Sequence, residues 1–259
     1  NIDTLLFATE TGVDQSKSAG VFTHKLLNLS KRCRVVEMKQ ACYSGVAALM
    51  LACDRVRQNP DSKVLVIASD IARYKISSNA EPTQGAGACA ILVTRSPRTM
   101  IVNEKSSFIT DDVMDFWRPN YMSTAMVDGK FSCDQYMKLL NNTWCEFKTN
   151  NDINFKSYCF HIPFPRLVEK AYNQVVAEEK SKIIDSLIYS REVGNCYTAS
   201  IFIGLVGILD HTDCDNYKIG FYSYGSGSVA EFFSGEVLPS NKEVSFINNR
   251  KKYFASRTK

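Results

Sequence analysis

Apolar residues follow two alternating patterns along the first half of the chain. Short apolar runs predict strands at Thr4–Ala8, Arg34–Met38, 63–69 and 85–94, and the first and last of these are expected to be buried. Apolar residues at helical spacing predict helices at 16–29 and from Ser44 onward. Pro60 stops the second helix, because proline has no backbone N–H with which to continue it. Strands that alternate with helices in this way predict an α/β protein.

The second half repeats this alternation after a less periodic stretch. Residues 98–151 contain one predicted helix, at 133–147, and we interpret them as a connecting region between an N-terminal half, 1–97, and a C-terminal half, 152–259. In the C-terminal half the pattern predicts strands at 158–162, 219–224 and 230–233, and helices at 165–178 and 197–209. The segment ACYSGVAALM at 41–50 is similar to NCYTASIFIG at 195–204, which favours a tandem duplication.

Composition limits the class of protein. A chain of 259 residues with 45% hydrophobic and 22% charged residues is typical of soluble globular proteins. Its net charge of +4 is too small to indicate nucleic-acid binding. No apolar run is long enough to cross a bilayer, and the first residues lack the pattern of a secretory signal. We therefore expect a cytoplasmic protein that does not bind nucleic acid or enter the membrane.

Cysteine and histidine positions favour neither disulfides nor a metal. The nine cysteines are spread along the chain without a CxxC motif, and the three histidines lie far apart. We predict no bound metal and expect most of the cysteines to be small buried side chains.

Cys42 is a candidate nucleophile, since it lies between a predicted strand and a predicted helix. Unpaired N–H groups and the helix dipole favour an anion there, which would lower the pKa of the thiol. Glu10 and His161 each lie at the end of a predicted strand, where α/β proteins place their sites, and either could move a proton. Position alone leaves three alternatives open: a core cysteine, an exposed helix-start glutamate and a histidine with a structural hydrogen bond.

Eight segments follow one another along the chain: TETGVDQSK, MKQACYSG, RYKISSNAEPTQGAGA, DFWRP, VDGKFS, FHIPFPRLV, VGNCYTAS and SYGSGSVAEFFSG. In this order they resemble signature segments of the 3-hydroxy-3-methylglutaryl-CoA synthase family. The resemblance implies a thiolase-like fold of two duplicated α/β halves in a layered α-β-α-β-α arrangement. It also implies that terminal segments of the family pattern are absent, because Glu10 lies so close to the first residue.

The resemblance implies a transferase in which Glu10, Cys42 and His161 form a catalytic triad. Cys42 would take an acetyl group from a thioester, and Glu10 would remove a proton from the acetyl methyl group. The carbanion equivalent would attack a β-ketone that His161 orients, and water would then release the product.

Four further residues match positions of the family's substrate pocket. Ser226 would contribute to an oxyanion site together with backbone donors near Cys42 and in the Gly225-Ser226-Gly227 turn, and the others line the pocket: Tyr43, Thr83 and Asn195. Their alternatives from the residues themselves are packing for Tyr43, a turn after Pro82 for Thr83 and a helix cap for Asn195. Cys196 has a setting like that of Cys42, but the family has no nucleophile there.

Two branches of the family are compatible with this chemistry. Three segments, QACYSG, NYMSTAMVDGKFS and SYGSGSVAEFFSG, resemble the polyketide β-branching synthases more closely than the other branch. In those synthases the donor and acceptor acyl groups are attached to acyl carrier proteins. The alternative is the mevalonate enzyme, which uses acetyl-CoA and acetoacetyl-CoA. In either branch the acyl groups travel on phosphopantetheine and no other cofactor is expected, and thiolase-like proteins are commonly homodimers.

Two other classes are less favoured. Ketoacyl synthases usually pair their cysteine with two histidines, whereas a single histidine, His161, lies in a suitable segment here. A non-catalytic binding module would not need Glu10, Cys42 and His161 together.

Overall fold

A computed structural model describes residues 1–212, 216–239, 249–253 and 256. The helices and strands in chain order are β1 (Thr4–Ala8), α1 (Ala19–Leu26), β2 (Arg34–Met38), α2 (Ser44–Gln58), β3 (Val64–Ile71), β4 (Ala86–Val93), β5 (Met100–Val102), β6 (Ser107–Thr110), β7 (Phe116–Trp117), β8 (Met126–Val127), α3 (Gly129–Asn150), β9 (Ser157–Phe160), α4 (Pro165–Ala171), α5 (Ser181–Leu187), α6 (Ser190–Val193), α7 (Ser200–His211), β10 (Lys218–Gly225) and β11 (Val229–Val237). Cys214 lies outside the described residues, and the other eight cysteines are free thiols.

Two sheets organise the fold. The first has the strand order β2-β1-β3-β4, in which β1 is parallel to both neighbours and β4 is an antiparallel edge strand. The second has the order β5-β11-β10-β9, and β6 also pairs with β11. Because β5 and β6 pair with β11, the stretch 98–151 contributes strands to the C-terminal sheet. It also supplies the short β7–β8 ribbon and α3.

The layers follow from which faces of the elements are apolar. One core cluster joins the first sheet, α2, α7 and the second sheet, so both helices lie between the sheets. A second cluster packs α3 and α4 on the other face of the second sheet. A third joins the outer face of the first sheet to residues at the start of α1. The resulting α-β-α-β-α order confirms the thiolase-like arrangement.

Most predicted elements of the first half are confirmed, including the exact bounds of β1 and β2. The first helix is shorter than predicted, because the Asp14 carboxylate accepts the backbone N–H groups of Ser16 and Lys17 and forms a turn. The prediction of a fully buried strand is wrong for β4, since alternate residues on one of its faces are exposed.

The second half differs more from the predictions. The predicted helix at 165–178 is interrupted after α4 by a π-helical turn, Tyr172–Val176, and ends at Ala177 in the left-handed conformation. The short helices α5 and α6 and the strands β5 to β8 escape prediction, because each is too short to show a period. Among the described residues no helix is long and apolar enough to cross a membrane.

Candidate functional site

Cys42 lies in the loop between β2 and α2, beside the end of β10. A side chain at Gly225 would place its Cβ atom 2.5 Å from the Gln40 carbonyl oxygen and 2.7 Å from the Tyr43 nitrogen. Glycine is therefore required for the two backbones to approach so closely. The same approach brings the Gly225-Ser226-Gly227 turn next to the cysteine.

Glu10 meets Cys42 although the two are far apart in sequence. The Cys42 thiol donates a hydrogen bond to Glu10 Oε1 at 3.1 Å. Because parallel β1 and β2 both end at this edge of the sheet, residues that follow them come together there. The structure thus places a carboxyl group where it can accept the thiol proton.

The pKa values of this pair are set mainly by burial. Exclusion of water and the negative charge of Asp70 raise the pKa of Glu10 to about 8, which the hydrogen bond from Cys42 and the positive charge of Arg118 oppose. Burial and the neighbouring Glu10 carboxyl raise the pKa of Cys42 well above its ordinary value. The expectation that the helix start would lower the thiol pKa is therefore wrong for this state. Above about pH 8 the pair therefore holds one proton, as a Cys42 thiol hydrogen-bonded to the Glu10 carboxylate, and below that pH the Glu10 carboxyl carries a second proton.

Asp70, near the end of β3, fixes the backbone around Glu10. Its Oδ1 accepts from the hydroxyls of Thr9 and Thr11 and from the backbone N–H groups of Glu10 and Thr11, while Oδ2 accepts from the N–H and hydroxyl of Thr198. The side chain is buried, so all six donors act on a carboxylate with little water around it. Sequence reasoning missed Asp70, because its partners lie 59 to 128 residues away.

His161 follows β9 and faces the same cavity as Cys42. Its backbone is held by Tyr222, whose carbonyl accepts the His161 N–H, and by Tyr136, whose hydroxyl donates to the His161 carbonyl. Burial lowers the pKa of the imidazole to about 3, so the ring is neutral near pH 7. Nδ1 is buried without a partner among the described residues, which leaves this ring nitrogen for a molecule in the cavity.

The cavity beside Cys42 has a volume of about 520 Å³. Aromatic side chains form much of its wall near the thiol, where the Tyr74, Phe116 and Tyr197 rings contact one another edge to face. A second cavity of about 500 Å³ has Arg166 and Arg191 in its wall and shares Thr83 and Asn195 with the first. The two spaces could together take an extended, partly charged molecule whose end reaches Cys42.

The four predicted pocket residues differ in their positions. Three of them line the cavity: Thr83, Asn195 and Ser226. Tyr43 is not among the lining residues, and its hydroxyl donates instead to the buried Glu231 carboxylate at 2.7 Å.

The hydrogen bonds of these residues also support their structural alternatives. The Thr83 hydroxyl donates to the Ala80 carbonyl, and the Asn195 side-chain oxygen accepts from the Tyr197 N–H at the start of a 3₁₀ turn. The Gly227 N–H donates to Asp115 Oδ1, so it is engaged and does not serve as an oxyanion donor in this arrangement.

Cys196 differs from Cys42 in its surroundings. It is buried, its thiol lies 3.6 Å from the Ser200 hydroxyl, and burial raises its pKa to about 12. No carboxyl group accepts its proton among the described hydrogen bonds, which agrees with a structural role.

Comparison with known proteins gives a consistent family. Residues 1–97 match the family described as hydroxymethylglutaryl-coenzyme A synthase N terminal, and residues 176–258 match hydroxymethylglutaryl-coenzyme A synthase C terminal. A hydroxymethylglutaryl-CoA synthase from Enterococcus faecalis is 42% identical over 92% of this chain and 65% of its own length. The polyketide biosynthesis 3-hydroxy-3-methylglutaryl-ACP synthase PksG from Bacillus subtilis is 34% identical over 93% of this chain and 65% of its own length.

A solved structure agrees with these sequence matches. The crystal structure of an HMG-CoA synthase complexed with CoA superposes with a TM-score of 0.88 at 39% identity, over 98% of this chain and 72% of that one. The chain thus spans about 65% of the length of the two curated relatives.

We expect Asp70→Asn to lower the free energy of unfolding by about 2–4 kcal/mol. Donors contact both oxygens of the Asp70 carboxylate, and in asparagine an NH₂ group, which is itself a donor, would replace one of these oxygens. The measurement is the urea unfolding midpoint of the variant against the unmodified protein. Asp61→Asn makes the same change at an exposed position and should shift stability by less than about 0.5 kcal/mol. Equal stability of the two variants would contradict the role given to Asp70.

Proposed function

Because the chain belongs to the hydroxymethylglutaryl-CoA synthase family, we propose that it adds a Cys42-bound acetyl group to the ketone of a β-ketoacyl thioester and then hydrolyses the product from the thiol. The 3.1 Å hydrogen bond from the Cys42 thiol to Glu10 supports this proposal most directly, because it lies beside a cavity that His161 also faces. This arrangement offers a nucleophile, a base and a neutral hydrogen-bond donor at one place.

The first step is transfer of the acetyl group. Cys42 Sγ bonds to the thioester carbonyl carbon while its proton passes to Glu10, and the donor's carbon–sulfur bond breaks. The departing sulfur takes up that proton from Glu10, which returns Glu10 to the carboxylate. The hydrogen bond already present between Sγ and Oε1 provides the path for the first proton transfer.

The second step forms the carbon–carbon bond. The Glu10 carboxylate removes a proton from the methyl group of acetyl-Cys42, and the resulting enolate carbon bonds to the ketone carbon of the acceptor. The ketone oxygen takes up one proton and becomes a hydroxyl group. His161, neutral because of its burial, supplies a ring N–H to that oxygen. Water then cleaves the thioester to Cys42 and gives a free carboxylate.

Two carriers are candidates for bringing the substrates to Cys42. The greater identity to the Enterococcus faecalis hydroxymethylglutaryl-CoA synthase, 42% against 34% for PksG, supports CoA thioesters as donor and acceptor. The second candidate is acyl carrier protein. The sequences of QACYSG, NYMSTAMVDGKFS and SYGSGSVAEFFSG favour it, and the name of PksG, a 3-hydroxy-3-methylglutaryl-ACP synthase, includes it. The two carriers share the phosphopantetheine arm and differ in what lies outside the cavity.

We expect Cys42 to become acetylated by acetyl-CoA faster than by acetyl-carrier protein. Mass spectrometry of the intact protein and of its Cys42 peptide measures the adduct over time with each donor. Cys196→Ala should retain the adduct and Cys42→Ala should lose it. Faster transfer from the carrier protein would select the β-branching branch, and no adduct with either donor would overturn the proposed function.

We expect Glu10→Gln to retain acetylation of Cys42 but to lose condensation by at least about 10²-fold. The amide oxygen can still accept the thiol hydrogen bond, and loss of the neighbouring negative charge lowers the pKa of Cys42, which compensates for loss of the base. No amide can remove the methyl proton. Single-turnover assays that measure the acetyl adduct and the condensed product separately test this. Normal condensation by Glu10→Gln would remove Glu10 from the role of base.

A further inference from the structure

Arg118 lies directly after β7, in the segment that also contains Asp115. Its Nη1 donates a hydrogen bond to the backbone carbonyl of Glu10 at 2.6 Å. The guanidinium carbon lies 5.9 Å from the centre of the Tyr197 ring, a cation–π contact. Nη2 is buried without a hydrogen-bond partner among the described residues. Arg118 thus approaches Glu10 with one donor engaged and another unused.

The groups around the Glu10 carboxyl come from four parts of the chain. Asp70 on β3 is an anion, Cys42 before α2 is a thiol, and Tyr74 and Tyr197 contribute neutral phenols. Arg118 is the cation that opposes the effect of burial and of Asp70 on Glu10. The local charge balance therefore depends on the guanidinium.

Acetylation of Cys42 changes this balance. In the resting state the thiol is the hydrogen-bond donor to Glu10 Oε1. Once the sulfur carries an acetyl group it has no proton to donate, and the carboxylate loses that partner at the moment when it must be anionic. A partly buried carboxylate that loses its donor is destabilised, and a nearby buried N–H without an acceptor can replace that donor.

We propose that Arg118 is a positioning residue that holds the Glu10 backbone in place and becomes the partner of the Glu10 carboxylate after Cys42 is acetylated. This inference rests on the proposed function, since it assigns Arg118 to the condensation step. It predicts that Arg118 matters less for acetyl transfer, during which the thiol still donates to Glu10.

The test compares Arg118→Met and Arg118→Lys with the unmodified protein. Single-turnover rates of Cys42 acetylation and of condensation are measured over a pH range that brackets the Glu10 pKa of about 8. Condensation needs the carboxylate, so its rate rises with pH as the Glu10 carboxyl of the acetylated protein ionises. Removing the positive charge raises the pKa further, and in Arg118→Met the rising limb should move up by about one to two pH units. Condensation near pH 7 should fall about 10-fold or more, while acetylation stays within about threefold.

Arg118→Lys keeps the charge but not the planar pair of donors, so the limb should stay in place while condensation slows. The exposed Arg95→Met serves as the matched control and should change neither rate. An equal loss of both rates in Arg118→Met, with the limb unmoved, would overturn the inference and leave Arg118 a structural residue. If Arg118→Met fails to fold, Arg118→Lys alone provides the test. Because lysine keeps the positive charge, a shift of the rising limb of its condensation pH profile would overturn the inference. Absence of acetylation or condensation in the unmodified protein would refute the proposed function itself.

Discussion

The buried Asp70 carboxylate is the interaction on which the site depends. It binds the segment that follows β1 through Thr9, Glu10 and Thr11, and the segment before α7 through Thr198. A charge in this position is stable because donors surround both of its oxygens. The same charge raises the pKa of Glu10. One residue therefore positions Glu10, the proposed base, and brings its proton affinity into the range near neutral pH.

The segment from Asp115 to Arg118 connects the two halves of the site. Asp115 accepts hydrogen bonds from the Tyr224 and Ser132 hydroxyls and from the Gly227 N–H, and so fixes the glycine turn of the C-terminal half. Phe116 lies in the cavity wall, and Arg118 reaches the Glu10 carbonyl of the N-terminal half. This short segment, whose apolar residues show little periodicity, thus holds groups on both sides of the site in place. Loops commonly contribute functional residues in this way.

The site residues that could be predicted best from the sequence are those that follow the ends of strands. Cys42 and Glu10 follow parallel neighbours, so their meeting could be expected from the α/β pattern together with the family resemblance. Asp70 and Arg118 could not be found in this way, because an isolated acidic or basic residue has no signature until its distant partners are known. The thiol pKa was misjudged for a related reason: burial and a neighbouring carboxyl outweigh the helix dipole, and neither is visible in a linear pattern.

We propose that Glu10 removes a proton from the acetyl group on Cys42, and hydrogen exchange measures that step without an acceptor. Protein acetylated at Cys42 is placed in deuterated water, and mass spectrometry follows deuterium entering the acetyl methyl group. We expect an exchange rate that rises with pH as the Glu10 carboxyl ionises, and exchange at least about 10²-fold slower in Glu10→Gln. Equal exchange in the two proteins, or none in the unmodified one, would show that Glu10 does not remove the methyl proton.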